Sequence, residues 1–434
     1  VLLICLTVIV FTNRGFTQTI DPDYTIADWY GFRSAAVSFT LDDGSPNQYS
    51  AAVPLFEEFN FRFTWFIVTG SGWSWQPDWS ALNNAASSGF EIGSHTVTHR
   101  NFAEINDSLE NVELRDCKSV IESHINNYKC VSVAYPYCVA GNESICENYY
   151  IAARTCSGSL VSKNPGDFMA ISSFVCGPEG PVKTADDFIS KAQLAAKSEK
   201  WCVFLIHGID GDGGWSSVSS DSLRKILENY RANENKYWVD TFGNVARYIK
   251  ERNAVSITET IRDTCISMEL TDALNDTIFN IPLTLRRTLP SGWASAVVQQ
   301  AGRIRKTKIV EVDSVKYIQF DAVPDSGSLL LTRDGVTGIK NHSGLLNSSP
   351  ELMPNYPNPF NPGTKITFEL KRAGHAIMKI YDVNGREKST LLDKDLPAGH
   401  HSIDFTADDL ASGTYYCKLK VDGYIQTQKM ILLR

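Results

Sequence analysis

Three short segments of the chain carry carboxylates and imidazoles at spacings suited to chemistry. The first, Ser38 to Gly44, reads SFTLDDG and sets Asp42 beside Asp43. Two adjacent carboxylates cannot both be buried cheaply unless a cation or a proton relieves them. A metal would do so, with one Asp as ligand and the other left as base. The second segment is His95-Thr96-Val97-Thr98-His99. Histidines at i and i+4 share one face of a helical turn, so the spacing predicts a turn that offers both rings to one metal. The third is Leu205-Ile206-His207-Gly208, where a histidine ends an apolar run. Such a group can act as a general acid near neutral pH. Each has a plain alternative alone: Asp-Asp-Gly is a common turn, many H-x-x-x-H pairs bind nothing, and a lone histidine is often structural. Together, the order, the strand ends and the ligand types agree.

Those residues need strands to hold them. AAVSFTL, RFTWFIV, FEIGSH, VSVAYPY and WCVFLIHG are short runs rich in β-branched and aromatic residues. Between them SLENVELRDCKSVIESHINN, TADDFISKAQLAAKSEK and DSLRKILENYRANEN show helical spacing of apolar positions. Strand–helix alternation from Ala35 to about Arg252 predicts a parallel α/β fold, with a barrel as the expected form and chemistry at the C-terminal strand ends. From about Val255 the pattern becomes short strands broken by Gly, Pro, Ser and Asp: IPLTLRRTL, SAVVQQ, KIVEVD, KYIQFD and SLLLTR. A linker, NHSGLLNSSP, precedes a second β-rich stretch whose strand-and-turn spacing suggests a β-sandwich.

Residues 35–250 resemble the polysaccharide deacetylase, or NodB-homology, domain of carbohydrate esterases. The carriers are FTLDDG, HTVTH, AYPY at Ala134–Tyr137 and LIH at Leu205–His207. The resemblance implies a distorted (β/α) barrel holding one divalent ion, zinc first, with cobalt or nickel as alternatives. It implies Asp43, His95 and His99 as ligands and Asp42 as the base that activates the metal's water. It implies His207 as the acid that protonates the leaving group, the Tyr137 backbone N–H as an oxyanion donor, and Leu205 as a wall of the acetyl pocket. The chain departs from the family in two places. The third motif usually opens with Arg two residues before Pro, and Ala134 stands there. No clear fourth motif follows. Arg154, in AARTCSG at the end of another predicted strand, could supply the missing cation. Trp73, Trp75, Trp79 and Trp215 could stack on sugar faces with their flat apolar rings, or could simply pack their loops.

The last 80 or so residues resemble the C-terminal sorting domain of the type IX secretion system. NYPNPFNPGTKITFEL, KIYDVNGR, LPAGHHSIDF, LASGTYYCKLK and KMILLR carry that resemblance. A carbohydrate-binding sandwich is the alternative. The resemblance implies the type IX machinery as a partner, with export through the periplasm of a Gram-negative bacterium to the medium or cell surface. The apolar stretch Val1–Phe11 has the length of a signal-peptide core and is too short to span a bilayer; a buried strand is the other reading. The expected order is therefore a signal peptide (1–18), a catalytic domain (19–254), a β-rich accessory module (255–339), a linker (340–349) and the sorting domain (350–434). The accessory module could bind glycan or space the domains. No transmembrane span is expected in the mature chain.

Bulk composition narrows the partners. The 434 residues are 43% hydrophobic and 21% charged, with a formal net charge of −8 and no basic run. Nucleic acid and anionic membrane are therefore poor partners, and an acetylated polysaccharide or oligosaccharide fits better. Of ten cysteines, nine lie beyond the apolar stretch Val1–Phe11, an odd set that leaves at least one unpaired. Cys138 and Cys146 are close enough in sequence to bridge across a short loop. The expected activity is removal of O-acetyl groups from acetylated xylan or a similar polysaccharide. The alternatives are N-deacetylation of chitooligosaccharide or peptidoglycan, and a catalytically weak glycan-binding surface protein.

Overall fold

A computed structural model describes residues 18–333 and 350–433, apart from 263–264, 302, 354, 356, 371–372, 383–385 and 422–423. The expected signal peptide (save Gln18) and the expected linker lie outside the described residues. Two compact units divide the chain at Arg333.

The first unit opens with β1 (Tyr24–Ile26) and then builds a parallel barrel. Its strands are β2 (Ala35–Asp42), β3 (Thr64–Ile67), β4 (Glu91–Ser94), β5 (Ser132–Ala134), β6 (Ala152–Arg154), β7 (Phe174–Val175), β8 (Trp201–Ile206) and β9 (Tyr237–Val239). They run in the order β6-β5-β4-β3-β2-β8-β7, with β9 against the start of β2. Residues 171–175 close the ring. Ile171 exchanges backbone hydrogen bonds with Ala153 and Thr155 beside β6, and Phe174–Val175 pairs with β8. The barrel is thus distorted, with one short strand where a full one would stand. All eight residues of β2 are buried, as expected for a strand covered on both faces.

Helices α1 (Val53–Glu58), α2 (Trp79–Ser87), α3 (Asp107–His124), α4 (Glu143–Cys146), α5 (Ala185–Lys197), α6 (Ser220–Ala232) and α7 (Phe242–Ala254) connect the strands. Their starts are written in the sequence. Asp78, Asn106, Thr184, Ser219 and Thr241 each accept a hydrogen bond from a first-turn N–H, which satisfies a donor the helix itself cannot. Phe39, Phe56, Phe63, Phe188, Phe204 and Tyr230 pack edge to face or tilted between β2, β8 and these helices.

Two antiparallel sheets follow within the same unit. Strands β10 (Ser256–Arg262), β11 (Cys265–Thr271), β12 (Leu283–Thr288), β13 (Ala296–Gln300), β14 (Arg303–Arg305), β15 (Thr307–Val312), β16 (Val315–Ala322) and β17 (Leu329–Arg333) form orders β1-β12-β16-β15 and β10-β11-β17-β13-β14. The sequence reading assigns residues 19–254 to the catalytic domain, yet Tyr24–Ile26 lies on the edge of β12. A three-residue strand has too few positions to show a period. Nor is this module a free spacer. Its Leu283, Leu285, Met268 and Phe320 share one buried cluster with Trp29, Trp201, Phe242 and Tyr248. Arg252 of α7 donates to the carbonyls of Asp28 and Lys163, and Glu251 accepts the Ile281 N–H.

The second unit is a sandwich of two antiparallel sheets. Its strands are β18 (Glu351–Leu352), β19 (Gly363–Leu370), β20 (Gly374–Asp382), β21 (Glu387–Leu396), β22 (Gly399–Thr406), β23 (Gly413–Val421) and β24 (Tyr424–Leu432). The orders are β18-β19-β22 and β21-β20-β23-β24. Alternate residues such as Ile366, Phe368, Leu370, Met378, Ile380 and Leu419 fill its core, the period-two pattern of a half-buried strand. Among the described residues of the chain, no helix is long and apolar enough to cross a membrane.

Candidate metal centre

The C-terminal ends of β2, β4, β5, β6 and β8 surround a cavity of about 390 Å³. Asp42, Asp43, His95, His99, Tyr135, Tyr137, Cys138, Cys156, Val175, Leu205, His207 and Trp215 line it. Residues 42–43, 95–99 and 207, far apart in sequence, therefore meet because parallel strands end side by side.

Asp43 closes β2 in a left-handed conformation (φ 75°), and its N–H donates to the Phe66 carbonyl. Its Oδ1 lies 3.7 Å from His95 Nε2 and 3.6 Å from His99 Nε2. His95 Nδ1 sits 2.8 Å from the Ala134 carbonyl. A carbonyl only accepts, so Nδ1 carries the proton and Nε2 turns a lone pair toward Asp43. The HTVTH segment is not a helical turn, contrary to the spacing argument. It is an irregular loop with Thr96 and His99 at positive φ. The cause is Glu113 of α3. Its carboxylate accepts the N–H groups of Val97 and Thr98 and the Thr98 hydroxyl, so those donors are spent on a side chain instead of on helix bonds.

Asp42 is buried beside this group. Its Oδ2 accepts a hydrogen bond from Arg154 Nη2 and lies 3.7 Å from His95 Nε2. Arg154 is 1% exposed and also donates to Ser173 Oγ at 3.2 Å. In the β5–β6 register Arg154 is paired directly with Ala134. The cation absent from position 134 is thus presented from the next strand, and Ala134 instead offers its carbonyl to His95.

Burial sets the charge states. Burial first, and the charge of Asp42 second, push the Asp43 carboxyl up to about 7. Burial holds the His95 and His99 rings well toward neutral. Burial pushes His207 down to about 4; Asp42 opposes this, and Arg154 adds to it. Asp42 Oδ1, Asp43 Oδ1 and His207 Nδ1 are buried with no hydrogen-bond partner among the described residues. Two carboxylates with one guanidinium between them leave a negative charge unmatched. One carboxylate oxygen and two imidazole nitrogens within 4.8 Å of one another are a donor set suited to a zinc-type divalent ion. The residues fit such an ion.

The other expected residues are placed unevenly. Leu205 is buried in the cavity wall, and Trp215 stands half-exposed with its ring edge-on to His207 at 4.9 Å. Trp73 donates from Nε1 to the Asp43 carbonyl and lies over His99 at 4.8 Å, so it braces the site from behind. Trp75 packs against Trp73. Trp79 stacks on His124 at the start of α2 and does not line the cavity. The disulfide joins Cys138 to Cys156, not to Cys146. Cys146 is buried on α4, whereas the ends of β5 and β6 lie together. Seven other described cysteines are unpaired.

Sequence reasoning missed Gln48. Fully buried at the head of a π-helical turn (Gln48–Ala52), it donates from Nε2 to the carbonyls of Asp42 and His207. Its Oε1 accepts from Trp65 Nε1. One amide thus ties the strand end bearing the candidate base to the one bearing the candidate acid. A polar residue in SPNQYS gives no sign of this in sequence.

The sequence model of the polysaccharide deacetylase family matches residues 31–149, and that of a secretion system C-terminal sorting domain matches residues 355–433. Residues 31–149 of the barrel thus match a polysaccharide deacetylase domain. The match to this deacetylase domain covers Asp42, Asp43, His95, His99 and Tyr137 and stops before Arg154 and His207. The sorting domain marks the chain for a secreted or cell-surface location. Among curated proteins, a gellan lyase of Bacillus sp is 29% identical over 357 residues, which is 76% of this chain. The chain spans 14% of that relative's length. Among solved structures, the Xyl-CE4 domain of a multidomain xylanase from the hindgut metagenome of Trinervitermes trinervoides is 16% identical. It covers 48% of this chain and 88% of that one, with TM-score 0.35. A family 4 carbohydrate esterase from Bacillus anthracis is 16% identical, covers 50% and 86%, and has TM-score 0.33.

Proposed function

We propose that the chain is a metal-dependent deacetylase that releases acetate from O-acetyl esters of an extracellular polysaccharide, with acetylated xylan or a similar chain as substrate. The convergence of Asp43, His95 and His99 on one point, beside an Asp42 held by Arg154, carries the reading. Asp43, His95 and His99 would hold one divalent ion, zinc first. When bound, such an ion supplies Lewis acidity that polarises a carbonyl and lowers the pKa of water toward ~7.

The chain's own residues then divide the proton work. Arg154 occupies Asp42 Oδ2 with a hydrogen bond, which leaves Oδ1 free to take a proton from the attacking water. His207 rests neutral. It must therefore take up a proton before it can pass one to the departing sugar oxygen. The Tyr137 N–H would donate to the oxyanion, and Leu205 and Val175 would wall the acetyl methyl. An alkoxide leaves a tetrahedral intermediate more readily than an amine, so a resting neutral acid suits an ester better than an amide. The sorting domain accords with type IX export through the periplasm of a Gram-negative cell and with a substrate met outside it. The curated relative named for gellan lyase accords with work on a polysaccharide.

Acetate release from acetylxylan and from acetylated chitooligosaccharide, with and without a chelator, tests this. Chelator-sensitive release, faster on the ester, is expected. Faster release from the chitooligosaccharide would reverse the bond preference. No release from either would leave the glycan-binding alternative.

A further inference from the structure

The turn that follows β5 is held in an unusual way. Tyr137 and Cys138 are consecutive non-glycine residues with φ of 54° and 61°. Left-handed backbone is costly for any residue with a Cβ, and two in succession persist only where the surroundings impose them. Tyr137 gives little help from its side chain, because the residue is 65% exposed and its ring meets His99 only edge-on at 4.8 Å. The backbone within the turn is thinly tied: Cys138 N–H donates to the Tyr135 carbonyl and Val139 N–H to the Pro136 carbonyl.

The remaining tether is covalent. Cys138 is joined to Cys156, and both sulfur-bearing residues line the reaction cavity. Cys156 stands two residues past Arg154, the last residue of the strand paired with β5, and Tyr135 N–H donates to the Arg154 carbonyl. The disulfide therefore ties the turn presenting the Tyr137 N–H to the strand presenting the cation on Asp42. Each of the seven other described cysteines is unpaired, so this link is not one of many general staples.

From this juxtaposition we infer that the Cys138–Cys156 disulfide is a positioning element of the reaction centre, holding the Tyr137 N–H in the left-handed turn from which it serves the oxyanion. This rests on the deacetylase reading. With the disulfide opened, the turn relaxes to an ordinary conformation and the donor leaves its place, while Asp43, His95 and His99, beyond the ends of β2 and β4, stay where they are.

The test opens the bond in the folded, metal-loaded full chain with a water-soluble phosphine. Two electrons pass from phosphorus to the disulfide, two protons from water complete two thiols, and the water oxygen remains on the phosphine oxide. A Cys138→Ala/Cys156→Ala double variant removes the bond without a reductant. The expected result is a fall in kcat of about 10-fold or more, with KM and bound metal unchanged and faster amide exchange confined to residues 135–158. Unchanged kcat with unchanged exchange overturns the inference. So does loss of metal or of cooperative unfolding in both the reduced chain and the double variant, since the bond would then be a general staple. If the oxidised chain releases no acetate, the deacetylase reading fails instead. The exchange measurement still reports whether the disulfide sets the turn, and unchanged exchange overturns that as well.

Discussion

The two arcs of the barrel meet different demands. The arc β2–β5 presents Asp43, His95 and His99 within ligand distance of one point, and the family match lies over it. The arc β6–β8 presents Arg154, Cys156 and His207, all beyond the match. A metal fixes ligand types and distances to within tenths of an ångström, which leaves the first arc little freedom. A cation beside a base, or a brace behind an acid, can be delivered from any strand end within reach. Arg154 on β6, in register with Ala134 on β5, uses that freedom. The predictions below probe this division, beginning with the largest effect.

Arg154 is the strongest test. It is 1% exposed and bonded to a buried carboxylate. Removing one partner of such a pair leaves the other charge uncompensated, at about 3–5 kcal/mol. Arg154→Ala should lower stability by about that much in a denaturant titration and lower kcat, read by acetate release. Arg154→Lys should recover part of both. A cheap Arg154→Ala would mean that Asp42 is held by the metal arc alone. His207→Ala comes next. It should reduce kcat by about 10²–10⁴ with metal content unchanged. Metal loss in that variant would move His207 into the ligand set.

The third prediction separates the arcs by pH. The Asp43 carboxyl is raised from 3.8 to about 7. The metal-free folded state therefore binds more protons than the unfolded state between those values. The stability this gives is fully present below 3.8 and is lost as pH rises through 7. His207 is lowered from 6.5 to about 4. Its contribution has the opposite sense: present above 6.5 and lost as pH falls through 4. Between about 4 and 6.5 the two contributions oppose each other, so the Tm of chelated protein should change little from these groups there and fall between about 6.5 and 7. Asp43→Asn should abolish that fall and uncover a loss of Tm as pH drops from 6.5 to 4. His207→Ala should uncover a steady loss as pH rises from 3.8 to 7.

How much of this was legible depended on what each residue answers to. The Asp-Asp-Gly and H-x-x-x-H segments are legible as a candidate site because a metal would restrict residue types. Their local backbone is not: the HTVTH loop is shaped by Glu113, fourteen or more residues away in the chain. The barrel strands were readable as apolar runs, whereas β1 and β7, of three and two residues, were too short to show a period. Arg154 drew notice because it ended a strand-like run. The pairing of Cys138 with Cys156 depends on β5 and β6 being neighbours, which sequence spacing alone does not state.

Gln48 joins the two arcs, so it measures how far they depend on one another. Gln48→Leu removes a donor from two carbonyls and an acceptor from Trp65. Leaving buried polar groups without partners costs about 1–3 kcal/mol. The expected variant is folded, somewhat less stable, and slower in kcat by about 10-fold, a loss of about 1.4 kcal/mol in the transition state. Metal affinity should be unchanged, because no ligand touches Gln48. Gln48→Glu keeps the acceptor for Trp65 and should sit between the two. An unchanged kcat would show that His207 is positioned by its own strand without the amide.

The smallest effect is expected from removing the second unit. It has a complete core of its own, built from Phe360, Phe368, Met378, Leu419 and Met430. Every proposed site residue lies before Arg333. A sorting module acts on where a chain goes, not on its chemistry, so a chain ending after Arg333 should keep kcat and KM within about twofold and Tm within about 2 °C. The first unit already buries its accessory sheets against α7. In the native host the same chain should stay in the periplasm, read by fractionation and acetate release. A truncated chain that reached the surface efficiently would argue that the sandwich binds glycan. A truncated chain with weakened KM on polymer but not on short oligosaccharide would say the same in solution.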